Sequence, residues 1–277
     1  MRIHRCLSGI LCVVSALAAS GCFQSSTLIK LKPDGSGTIE QTLTMTAEAA
    51  QQLTALAAMG GDKSKPAASG PNDFFSEQDA KSAVAKMGGG VTYVSSQRID
   101  TPERKGRKAL YSFSDIRKLT VQEMSAPPAA GEAGPASGAA REAAMKFNFT
   151  QMPGGHSLLT IGMPVPVMPT ADMAPPSSPL QNNPQMMEMM KMFLKGLQVD
   201  AAIEVDRLIK TNSPYVNGSK VTLLSIDFDR VLADPALLEQ MQKAKTLADA
   251  KAFLKDSKGF KISLEPELTI EFTGGPR

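Results

Sequence analysis

Few side chains in this sequence have the type and spacing to do chemistry. Histidine occurs only at His4 and His156. His156 follows Pro153-Gly154-Gly155, a turn composition, and reads as an exposed turn residue. A Ser–His–Asp relay would have to use this turn histidine, and no Gly-x-Ser-x-Gly elbow accompanies it. Gly60-Gly61-Asp62-Lys63-Ser64 lacks the Gly-Lys-Ser/Thr of a phosphate loop, because Asp62 precedes Lys63, and reads as an ordinary loop. Asp227 with Asp229, and Glu267 with Glu271, are paired carboxylates on strand ends. Each pair interleaves with apolar residues, Ile226 and Phe228 in one case, Leu268, Ile270 and Phe272 in the other. A sheet with one wet face has that composition, and the six to eight oxygens of a cation cage are not in sight. The expectation is a non-enzymatic chain with no catalytic residue, no metal site and no cofactor.

One segment stands apart. Gln185 to Leu194 carries Met186, Met187, Met189, Met190 and Met192. At helical spacing Met186, Met189, Met190, Phe193 and Leu197 share one face, with Glu188, Lys191 and Lys195 opposite. So wide an apolar arc must be covered by something, and methionine suits irregular or exchangeable surfaces. These five residues are the expected contacts for a ligand or partner. Three covers are open: the protein's own sheet, a lipid or protein partner, or Cu(I), which thioethers select. Copper carriers also use His or Cys, and neither is near.

The elements that position this segment begin with an export signal. Met1-Arg2-Ile3-His4-Arg5 is a basic head, Leu7 to Ala19 an apolar run, and Ser20-Gly21 are small. About 13 apolar residues make some 20 Å of helix, too short for a hydrocarbon core of about 30 Å. Ala19-Ser20-Gly21-Cys22 resembles the lipobox of bacterial lipoproteins. That resemblance implies cleavage before Cys22, a signal peptide over 1–21, and a diacylglyceryl group with a further acyl chain such as palmitate on Cys22. Cysteine usage agrees: Cys6 and Cys12 lie in the signal, which leaves Cys22 without a disulfide partner in an oxidising compartment. Residue Phe23, not Asp, follows the cysteine, which by the same resemblance favours the outer membrane over the inner one. Loss of Arg2 and Arg5 leaves the two signs of charge nearly balanced, so acyl chains rather than basic residues must hold the membrane.

The whole chain has 277 residues, 42% hydrophobic and 21% charged, with 30 Lys+Arg against 27 Asp+Glu. That is enough for one sizeable core or two small ones, and it excludes a disordered chain, a disulfide scaffold and a basic nucleic-acid binder. After a short tether at 22–25, a domain is expected over 26–273. Thr27–Lys32 and Thr38–Met45 alternate around Pro33-Asp34-Gly35-Ser36-Gly37, a hairpin. Val91–Ser95 pairs with Ala109–Phe113, and Met145–Phe149 with Leu159–Ile161. Val199–Val205, Val221–Phe228 behind Asn217-Gly218, and Leu268–Phe272 supply later strands. Helices are expected after Thr46, from Ser76 to Met87, at 185–196, after Asp234-Pro235 and over 246–255. Loops fall at 59–73, 125–142 and 162–184, the last with prolines at 164, 166, 169, 175, 176, 179 and 184. The fold class predicted from this order is α+β: an antiparallel sheet of hairpins with helices packed on one face, and Pro/Ala-rich loops.

The lipobox, the short tether, the turn Leu31-Lys32-Pro33-Asp34-Gly35-Ser36-Gly37-Thr38 and the late Asn217-Gly218 hairpin together resemble the LppM-type family of bacterial lipoproteins. The resemblance implies a helix-on-sheet domain near the envelope with a lipid-ligand role and no catalysis. The function expected is therefore a lipid-anchored envelope protein that binds an apolar ligand or lipid under the Met-rich helix. A structural or assembly lipoprotein acting by protein contacts is the alternative, and a Met-based copper binder the next. The expected partners are the membrane, through acyl chains on Cys22, and a lipid or protein; nucleic acid is not among them.

Overall fold

The computed structural model describes residues 23–51, 75–120, 145–163, 195–237, 240, 247–254, 257–263 and 265–275. The first hairpin joins β1 (Phe23–Leu31) to β2 (Gly37–Thr46). Its turn closes as its composition requires. Asp34 accepts hydrogen bonds from the Ser36 N–H at 2.9 Å and the Ser36 hydroxyl at 2.7 Å. Gly35 takes the left-handed φ of 84° that the turn needs. A second hairpin joins β3 (Val91–Asp100) to β4 (Arg104–Phe113), and a third joins β5 (Lys146–Met152) to β6 (His156–Gly162). The remaining strands are β7 (Gln198–Val205), β8 (Arg207–Thr211), β9 (Val216–Asn217), β10 (Lys220–Asp227), β11 (Phe260–Ile262) and β12 (Glu267–Thr273).

These strands form two sheets. The larger runs β11-β10-β7-β1-β2-β4-β3, with β9 beside β10; the smaller runs β5-β6-β12-β8. Neighbours are antiparallel except β1 and β7, which are parallel and in register from Gln24↔Gln198 to Leu31↔Val205. The chain passes from one sheet to the other at Asp206, where β7 ends and β8 begins.

The expected α+β architecture is overturned. The structure is mostly β, and what covers the apolar face of the large sheet is the small sheet. Ile29, Leu31, Ile39, Tyr111, Phe113, Ile203 and Val205 from the large sheet share one buried cluster with Phe147, Leu159, Ile161, Leu268, Ile270 and Phe272 from the small one. The physical reason is area. β5, β6 and β12 alternate, so their strands have one apolar face that must be buried, and the large sheet offers a matching one. The helices among the described residues are too short to do this work. α1 (Glu77–Ala83) buries Ala80 and α2 (Phe228–Leu232) buries Val231; α3 spans Leu247–Leu254.

Helix starts fall where capping side chains stand. Ser76 caps α1 by accepting from the Asp79 N–H at 3.1 Å. Thr46 accepts from the Ala49 N–H at 3.2 Å, and Asp234 from the Leu237 N–H at 3.1 Å. Two boundaries differ from expectation. β1 begins at Phe23 rather than near Ser26, which leaves no separate tether among the described residues. Gly162, expected in a loop, closes β6; Met163, just beyond it, is buried and its N–H donates to Pro266 O at 2.9 Å. The loops expected at 59–73 and 125–142, the remainder of the one expected at 162–184, and the Met-rich helix as far as residue 194 lie outside the described residues.

Candidate functional site

The parallel pairing of β1 and β7 brings two distant parts of the sequence to one end of the large sheet. Gln24 and Gln198 are the first paired residues of these strands, and their side chains are joined by a 2.8 Å hydrogen bond. Cys22 directly precedes β1, and the Met-rich segment ends just before Lys195, on the approach to β7. Cys22, Met186, Met189, Met190 and Phe193 themselves lie outside the described residues. Leu197, the remaining member of that set, is half-buried, and its carbonyl accepts from the Phe228 N–H at 3.0 Å.

The entry to β7 is held firmly. Gly196 has a left-handed φ of 71°, and its N–H donates to Asp229 Oδ1 at 2.6 Å. Asp229 is therefore a helix residue of α2 that pins the turn before β7, not a strand carboxylate beside Asp227. Asp227 is the N-cap of α2 and pairs with Arg230 Nε at 3.1 Å. The expected pairing of these two acids on one strand end is thus corrected: each serves a different backbone segment. Glu267 and Glu271 do lie on β12, and Glu271 Oε1 sits 3.3 Å from His156 Nδ1. His156 opens β6 and is half-buried, so it is a strand residue rather than an exposed turn residue.

Beside the start of β1 lies a second, smaller apolar cluster. Leu43, Met45 and Phe75 are buried there, with Phe23, Ala49 and Ala50 packed on them. Between it and the main core, the inner face of the large sheet turns polar. The cross-strand register places Val199, Ser25, Leu43 and Arg107 in one row. Ala201, Thr27, Gln41 and Ala109 form the next row, and Ile203, Ile29, Ile39 and Tyr111 the one after. Ser25, Thr27, Gln41 and Arg107 are all buried. Burial pushes the Tyr111 hydroxyl above its ordinary range, against the opposing pull of the Arg107 charge. Sequence reasoning missed this polar band. The signal for it is that Arg107 continues the alternation of Ala109, Tyr111 and Phe113 onto the inward face of β4.

At the opposite end of β1 and β7 a cleft of about 370 Å³ is lined by Lys30, Leu31, Lys32, Thr38, Glu204, Val205, Asp206 and Ser219. Its charges are of both signs, and Lys30 Nζ lies 3.9 Å from Glu204. That lining suits a polar contact rather than an apolar ligand.

No family model matches the chain, and no curated protein does. Among solved structures the chain is similar to the NMR structure of the folded domain of LppM from Mycobacterium tuberculosis, with 9% identity and a TM-score of 0.31, over 93% of this chain and 92% of that one. At that score the likeness carries no argument about family or role, and it does not show the lipobox. No helix among the described residues is long and apolar enough to cross a membrane.

Proposed function

We propose that the chain is an exported, lipid-anchored protein of the bacterial envelope that acts by binding an apolar ligand or lipid. Acyl chains on Cys22 hold it, on the outer membrane, and the end of the large sheet where β1 begins faces the bilayer. The observation that carries this reading is the parallel pairing of β1 with β7. Cys22 is one Cα step, about 3.8 Å, from Phe23, and β1 is a central strand. An anchor at that position sets the sheet end against the headgroups. The Met-rich segment precedes β7 at the same end, and methionine side chains suit contact with acyl chains. Phe23, half-buried against Leu43, Met45 and Phe75, stands directly beside the anchor.

Native mass spectrometry of the full chain, extracted from membranes in a mild neutral detergent, tests the binding role. The expected result is a lipid mass retained in addition to the acyl groups on Cys22, and lost when Met186, Met189 and Met190 are changed to Gln. A stoichiometric protein in place of lipid would favour the assembly reading and contradict this one.

A further inference from the structure

We infer that the inner face of β4 around Arg107 and Tyr111 is a binding site for an oxyanion, a phosphate or carboxylate, presented by the ligand. Arg107 is only 4% exposed. Its Nη1 donates to Ser76 O at 2.9 Å, while its Nε has no hydrogen-bond partner, and it forms no ion pair among the described residues. A buried cation without a counter-ion is costly, and such charges are ordinarily paired.

The surroundings make that cost larger. Arg98 lies directly opposite Arg107 on β3, which places two like charges across one strand pair. Arg98 is itself drawn toward Asp100, at 3.6 Å. The neighbouring orphans are also donors. Tyr111, fully buried, and Thr27, 2% exposed, each have a hydroxyl with no partner among the described residues. Tyr111 keeps its proton at neutral pH because burial disfavours the phenolate. Arg107 and Tyr111 flank Ala109 on the same face of β4, and Ala109 carries only a methyl group. Guanidinium and hydroxyl donors around a small residue match the acceptor-rich surface of an oxyanion.

This inference rests on the proposed binding role only for the tail of the ligand; the shared chemistry is the anion, carried by an amphiphile or free. Thermal unfolding of the full chain in neutral detergent separates the two sources, with hexyl phosphate, inorganic phosphate and hexyl glucoside as probes. Hexyl phosphate is expected to raise the melting temperature and hexyl glucoside to raise it less. Arg107→Met is expected to raise the hexyl phosphate concentration needed for half the shift about tenfold or more, while leaving the unliganded melting temperature equal or higher. Tyr111→Phe provides a second, milder variant, with a smaller loss of response and an intact fold. An equal response to inorganic phosphate supports the site and removes the amphiphile from the reading above. No response to either phosphate, a response matched by hexyl glucoside, or one that survives Arg107→Met unchanged overturns the site; retained lipid in the mass spectrum would then leave the binding role standing.

Discussion

Changing Phe272 to alanine is expected to cost about 3–5 kcal/mol of stability. The side chain is fully buried on β12, and its ring centroid lies 6.4 Å from that of Phe149. It belongs to the cluster in which the small sheet covers the large one. Native domains hold only about 5–15 kcal/mol in total, so this loss brings the variant near unfolding. Urea titration followed by circular dichroism measures it as a lower midpoint. Ile209→Ala is the control, since Ile209 is 45% exposed. A Phe272 variant that loses no more than this control would contradict a core shared by the two sheets.

Gly106→Ala is the second large effect. Gly106 lies on β4 opposite Thr44, where an added Cβ would fall 2.3 Å from Leu43 O and 2.7 Å from the Thr44 methyl. A backbone oxygen cannot step aside without opening the β2–β4 ladder. The expected cost is about 3 kcal/mol or more. Gly89→Ala has nothing within 4 Å of the new atom and is expected to unfold with the wild type. Equal midpoints for the two variants would contradict the close approach of β2 and β4.

Local features of this fold are legible in the sequence because the physics that makes them is local. Pro33-Asp34-Gly35 announces a turn, Ser76 and Asp234 announce helix starts, and each does what its side chain allows. The division into two sheets is not legible. β7 and β8 are separated by the single residue Asp206, and alternation on either side of it is the same whichever sheet a strand joins. The parallel contact of β1 with β7 links residues 174 apart, such as Gln24 and Gln198, and no turn composition reports such a pairing.

The candidate site is legible in part. Cys22 and the Met-rich segment stand out by composition, but that the strands following them, β1 and β7, start at one end of the sheet comes from topology alone. Arg107 is hidden by its neighbours. Arg104, Lys105, Arg107 and Lys108 are all basic and flank one glycine, and only the continued alternation with Ala109 and Tyr111 sets Arg107 on the inner face. For His156 the preceding Pro153-Gly154-Gly155 points to a turn, yet pairing with Thr273 draws it into β6.

Membrane attachment through Cys22 is the claim on which the orientation of the sheet and the use of the Met-rich segment depend. Its most direct test is fractionation of cells producing the Cys22→Ser chain beside the wild type, with the size of the product read in each fraction. The expected result is that the mature-length product vanishes from the membrane fraction. A serine variant still trimmed to mature length, and still sedimenting with membranes as the wild type does, would contradict it.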